Sequence, residues 1–132
     1  MSVVIHWRLM FRVSNHRALD KCLGRTLPLF GPDVDVGVCK AYWKIPELWE
    51  CNLVSRVRAE STAEQVLACL LTAKSLASGW YILGALSAAS ADGFVGVFDS
   101  KVQGSASSQE VGLEWASFHL GTGGITHADP QR

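Results

Sequence analysis

The chain has 132 residues, of which 48% are hydrophobic and 18% charged; this is globular usage, long enough to bury one core without a metal or disulfide staple, and it excludes a disordered chain. Twelve Lys and Arg balance twelve Asp and Glu, which excludes a global field drawing the protein to nucleic acid or to an anionic membrane. The most apolar segments, "VLACLLTA" and "WYILGALSAA", are split by Lys74 and "SGW" and fall short of the roughly 20 apolar residues that a membrane span requires.

The amino-terminal run "VVIHWRLMFRV" alternates strictly, with Val3, Ile5, Trp7, Leu9, Phe11 and Val13 on one side and His6, Arg8 and Arg12 on the other. A half-buried strand has this period. It carries His6 and Arg8 inside its apolar stretch, so it does not read as a signal peptide, and a cytoplasmic protein is expected. "SNHRALDKCLGR" follows as a helix, with Ser14 or Asn15 as its N-cap, Ala18, Leu19, Cys22 and Leu23 at helical spacing, and Gly24 as its C-terminal cap. "TLPLFGPD" reads as a loop.

Alternation resumes over 34–42, placing Val34, Val36, Val38 and Tyr42 on one side and Asp35, Cys39 and Trp43 on the other. Pro46 interrupts it, because a residue without an amide proton cannot serve a central ladder. The next run puts Trp49, Cys51, Leu53, Ser55 and Val57 on one face, with Glu50, Asn52, Arg56 and Arg58 opposite. Two antiparallel strands joined near Pro46 are expected.

In "ESTAEQVLACLLTAKSLASGW", Ser61 and Glu64 form a capping box ahead of a helix whose inner stripe is Val66, Leu67, Leu70, Ala73 and Ala77, ending at Gly79. "WYILGALSA" reads as a fourth strand, apolar on both sides and therefore central or well covered. "GFVGVFDS" and "VGLEWASFHL" give two more strands, separated by a hairpin loop in "KVQGSASSQE". The tail "GTGGITHADPQR" has no apolar period and is expected to fray. One domain over 1–120 with a flexible tail over 121–132 results.

This order predicts an α+β fold: a ferredoxin-like antiparallel sheet with two helices on one face and a C-terminal strand pair. On that plan Trp7 and Phe11 face the helices, while His6, Arg8, Met10 and Arg12 line the open face. Arg56 and Arg58 extend Arg8 and Arg12 into a basic strip that Glu50 dilutes. With the aromatics of the first strand on the covered side, no platform for stacking bases remains there. The strip reads as a solvated face on which Arg8 and Arg12 are candidates for touching a protein partner.

No nucleophile elbow, P-loop, zinc-protease or dinucleotide motif is present, and "GTGGIT" has no helix after it to hold a phosphate. The expectation is therefore a non-enzyme without cofactor or metal. His6, His16, His119 and His127 share no helix spacing, and a site joining His119, His127 and Asp129 would rest on floppy flanks. Cys22, Cys39, Cys51 and Cys69 form no CxxC pair and read as small core residues. Trp43, beside the Pro46 turn, is either a binding anchor or packed under the C-terminal strands. Asp92, Asp99, Glu110 and Glu114 would share one sheet edge if the last two strands pair, which suits a basic partner surface such as a nuclease cleft; solubilisation of the hairpin explains them equally well.

The run "ELWECNLVSRVRAESTAEQVLACLLTAKSLASGWYILG", an aromatic strand leading into a capped helix and a Trp-led strand, and the closing "GLEWASFHLG" cover about half the chain. In style and size they resemble bacterial immunity proteins of contact-dependent growth-inhibition (CDI) systems. The resemblance implies a non-enzymatic protein that binds a cognate toxin C-terminal domain and blocks its active site or its access to substrate. It assigns no residue by position, and the neutral charge of the chain differs from the strongly acidic nuclease inhibitors of this kind. A ferredoxin-like small-molecule-binding regulatory domain and an RNA-binding domain are the alternatives.

The capping box yields a direct expectation. Ser61→Ala removes the acceptor for an orphan amide of the second helix and should lower unfolding stability by about 1 kcal/mol, read from urea denaturation.

Overall fold

The computed structural model describes residues 2–83, 93–103 and 112–121. Strand β1 (Ser2–Arg12) leads into helix α1 (His16–Thr26), a 3₁₀ turn (Leu27–Phe30), strands β2 (Val34–Ala41) and β3 (Leu48–Arg58), and helix α2 (Thr62–Leu76). Strands β4 (Tyr81–Leu83) and β5 (Phe94–Asp99), the single turn α3 (Ser100–Gln103) and strand β6 (Leu113–Leu120) complete it. The strands form one six-stranded sheet in the order β2-β3-β1-β6-β5-β4, with every neighbouring pair antiparallel.

The period-two pattern of β1 decides which side of the sheet is covered. Ile5, Trp7, Leu9 and Phe11 are at most 2% exposed, and they share one core with Leu19 and Cys22 of α1 and Cys69, Ala73 and Leu76 of α2. Both helices therefore pack on the odd face of β1. Trp7 is the centre of that core: its ring meets Phe30, Trp80 and Phe118 at centroid distances of 5.1, 6.3 and 5.4 Å. Its indole N–H donates to the buried Ser55 Oγ at 2.9 Å, so the polar edge of the ring is satisfied.

Both helix starts follow the sequence. Asn15 Oδ1 accepts from the Ala18 amide at 2.9 Å, and Ser61 Oγ accepts from the Glu64 amide at 3.2 Å while Glu64 reaches back to the Glu60 amide at 2.6 Å. The first helix end differs. Gly24 lies inside α1, which continues to Thr26 before Pro28 turns the chain into the 3₁₀ segment. That segment is no simple loop, because it delivers Phe30 to the core. At the end of α2, the Trp80 indole N–H lies 2.9 Å from both the Ala73 and the Ala77 carbonyl oxygens, supplying a donor where the helix runs out of amides.

Two further expectations are corrected. Leu67 is 56% exposed and Leu71 58%, since the inward stripe of α2 runs through Cys69, Ala73 and Leu76 and leaves Leu67 one step around the helix. "WYILGALSA" is not a central strand: β4 covers only three residues, all exposed, at the edge of the sheet, and 84–92 lie outside the described residues. A ferredoxin-like order would set the strand after the second helix beside β1. That place belongs to β6 instead, whose eight residues bring Ala116, Phe118 and Leu120 onto the core, while three-residue β4 ends the β6-β5-β4 meander.

The β5–β6 contact is close enough to dictate a glycine. A Cβ on Gly96 would clash with the edge of the Phe118 ring, and that ring is fully buried against Trp7, Trp80 and Phe94. Gly96→Ala should therefore destabilise the protein by about 1–3 kcal/mol. Gly24→Ala, with open space around the new methyl, should instead stabilise it by about 0.5–1 kcal/mol. Parallel denaturant melts of the two variants check both signs.

Candidate functional site

The face of the sheet opposite the helices is built from the even residues of β1 and their cross-strand neighbours. Val54, His6, His119 and Val95 form one row, Asn52, Arg8, Ser117 and Val97 the next, and Glu50, Met10, Trp115 and Asp99 a third. His6 and Arg8 are half-buried and Met10 is buried, while Arg12 stays exposed.

Three of the arginines on this face, Arg8, Arg12 and Arg56, are committed to carboxylates. Arg8 Nε donates to Glu50 Oε2 at 2.8 Å, with its guanidinium 5.7 Å from the centre of the Trp115 ring. Arg12 makes a two-point contact with Glu114 at 3.0 and 3.2 Å. Arg56 pairs with Asp35 at 2.8 Å and Asp33 at 3.3 Å. Arg58, at the end of β3, is exposed without such a contact among the described residues, so the strip expected from the sequence is closed at three of its four arginines, where a phosphate backbone would have to compete with these carboxylates.

A bulge makes the second of these pairs. The β1–β6 register shifts between Met10 and Phe11, which pair with Trp115 and Leu113, so Glu114 is the extra residue in β6. Such a bulge re-aims its side chain. Glu114 meets Arg12, with Lys101 Nζ also 3.7 Å away, and Arg12 holds its carboxyl below the ordinary value while raising its own. Asp99 Oδ1 accepts from the Lys101 amide at 3.0 Å and so serves the start of α3. The two described acids of the expected cluster are both engaged, and on β5 and β6 they lie inside the sheet order rather than on its edge. Asp92 and Glu110 lie outside the described residues, as does the conjectured partner pair His127 and Asp129.

Trp43 has the opposite character. The connection between β2 and β3 is tied down by Tyr42 N–H to Leu48 O at 2.7 Å and Leu48 N–H to Ile45 O at 2.9 Å, while Val13 N–H reaches Glu47 O at 3.0 Å. On this fixed hairpin Trp43 is 79% exposed, with Lys44 Nζ 5.0 Å over its ring and Tyr42 beside it. It is not packed under the C-terminal strands, because β5 and β6 lie across β1 from the hairpin.

Val38, 63% exposed, and Val36, 42% exposed, lie on the same edge strand. Sequence alternation set Val38 with Val34 and Val36. A second bulge between Val36 and Cys39 adds a residue to β2, which turns Cys39 toward Cys51 and leaves Val38 outside. Gly37 was the available signal, since a glycine inside a strand marks a bulge or a close approach. A Cβ there would stand 3.1 Å from the Asn52 carbonyl oxygen.

As for chemistry, the described residues bring no group of three or more His, Cys, Asp or Glu side chains into metal-binding range. His6 and His119 are directly opposed across β1 and β6, and the buried His119 Nδ1 has no hydrogen-bond partner. The four cysteines are free thiols, and burial pushes that of Cys69 up to about 12. No family model, curated protein or solved structure matches the chain.

His6 carries a pH dependence. Burial first, and then His119, lower the His6 pKa below its ordinary 6.5. The unfolded chain then takes up a proton at a higher pH than the folded one, so stability is intact above pH 6.5 and falls as pH drops through the folded-state value. His6→Gln should flatten the loss seen in urea melts between about pH 7.5 and 5.5.

Proposed function

We propose that this chain is a protein-binding inhibitor of the immunity-protein type, which docks on a cognate toxin C-terminal domain through the β2–β3 hairpin and blocks its active site or its access to substrate. The observation that carries the reading is Trp43: a large aromatic, 79% exposed, on a hairpin whose backbone is fixed at both ends. Leaving a tryptophan in water gains nothing for folding. Burying it in a partner's pocket is the usual way such a residue dominates an interface.

The ion pairs support the same class. With Arg8, Arg12 and Arg56 each bound to a carboxylate, recognition rests on shape and apolar contact at the hairpin rather than on net charge, in keeping with the neutral composition. An RNA-binding reading would need those arginines free. The fold fits this use on our reading: β2-β3-β1-β6 under α1 and α2 is a ferredoxin-like core in which β6 takes the place of the last strand, with β5 and β4 appended.

Co-expression with the toxin domain encoded beside it should rescue cells and yield a one-to-one complex; absence of rescue removes the inhibitor assignment. Trp43→Ala should weaken that complex by roughly 30-fold or more, about 2 kcal/mol, measured by calorimetry. Its unfolding midpoint should stay within error of the parent, because the side chain contributes little to the core.

A further inference from the structure

Two cysteines face each other across the hairpin that presents Trp43. In the β2–β3 ladder Cys39 and Cys51 are direct partners, and both are free thiols. Residues directly opposite on antiparallel strands have Cα atoms about 4.5 or 5.5 Å apart, depending on whether the pair exchanges ladder hydrogen bonds, and both values lie in the range a disulfide spans. The two sites differ in access. Cys39, on the edge strand, is partly exposed, whereas Cys51 is fully buried.

We propose that Cys39 and Cys51 form a reversible cross-strand disulfide under peroxide, with Cys39 as the peroxide-sensing thiol and Cys51 as the resolving one. The Cys39 sulfur attacks one peroxide oxygen; the O–O bond breaks, and the departing hydroxide takes up the thiol proton as water, leaving a sulfenic acid on Cys39. The Cys51 sulfur then attacks the Cys39 sulfur. The S–O bond breaks, and hydroxide leaves with the Cys51 proton as a second water. Two thiols have lost two electrons and two protons, and one peroxide has become two waters. A dithiol reductant reverses the bond by exchange.

The assignment of roles follows from placement. Burial, together with the hydrogen bond to the Cys39 thiol, raises the Cys51 pKa well above the ordinary thiol value, so Cys51 is a poor first nucleophile toward a solvent oxidant and needs the activated sulfur beside it. The consequence is local. Cys39 is the first residue paired after the β2 bulge, so the bond pins the register of the hairpin where it is otherwise broken and encloses the segment carrying Trp43.

The test treats the full folded chain with a small excess of hydrogen peroxide and reads intact mass, free thiols and a non-reducing peptide map. The expected result is a loss of about two mass units, a fall in titratable thiols by about two, and one cross-linked peptide joining Cys39 to Cys51, all reversed by dithiothreitol. Cys51→Ser should leave a sulfenic acid on Cys39 that dimedone traps, whereas Cys39→Ser should leave Cys51 unmodified under the same exposure. Hydrogen exchange of the oxidised parent should slow by about tenfold or more across the β2–β3 connection. Irreversible oxygen addition at Cys39 without a cross-link, no reaction at Cys39, or a bond between any other cysteine pair overturns the proposal. None of these readouts involves a toxin, so the result stands or falls independently of the inhibitor assignment.

Discussion

The fold turns on the burial of one side chain, Trp7, with its indole nitrogen satisfied by Ser55. Four separately encoded pieces of the chain meet its ring or its polar edge: Phe30 from the 3₁₀ turn, Ser55 from β3, Trp80 after α2, and Phe118 from β6. A ring of this size removes a large apolar area from water, and a buried N–H without an acceptor would forfeit much of that gain. Ser55 is one of the two buried polar residues among those described, the other being Thr26. The central position of β1 between β3 and β6 follows from the same requirement, because the strands on both sides of β1 deliver partners to one ring.

From that centre outward, two bulges shape the surface. The one in β6 introduces Glu114 beside Arg12, which, together with the pairs at Arg8 and Arg56, closes three of the four arginines of a strip that looks basic in sequence into ion pairs. The most exposed of them, Arg56 with Asp35 and Asp33, contributes little to stability. Together the pairs offset the positive charge of Arg8, Arg12 and Arg56 along the strip. The bulge in β2 expels Val38 and rotates Cys39 inward, which leaves Val38 exposed and sets two thiols face to face.

An edge strand with exposed valines invites unwanted pairing, and a bulge is one of the devices that discourages it. In β2 the same irregularity both blunts the edge and prepares the hairpin. The rigid half of that hairpin is fixed by backbone hydrogen bonds from Tyr42, Leu48 and Val13, so Trp43 is held out on an ordered support rather than on a loose loop. Under the proposed docking, such preorganisation would lower the entropy lost on binding.

What the sequence alone determined was whatever depends on local period and local chemistry. The odd face of β1, the caps at Asn15 and Ser61, the antiparallel partnership around Pro46 and the pairing of the last two strands are all legible, because each rests on residues within a few positions of one another. Tertiary structure decided what depends on distant partners. Whether Trp43 is covered, whether Arg8 and Arg12 are free, where the short β4 strand lies, and which way Val38 and Cys39 turn are set by register shifts and by carboxylates up to 102 residues away along the chain. Slipping a strand by one residue exchanges its two faces, and a bulge imposes that exchange partway along a strand whose alternation, read by itself, continues unbroken.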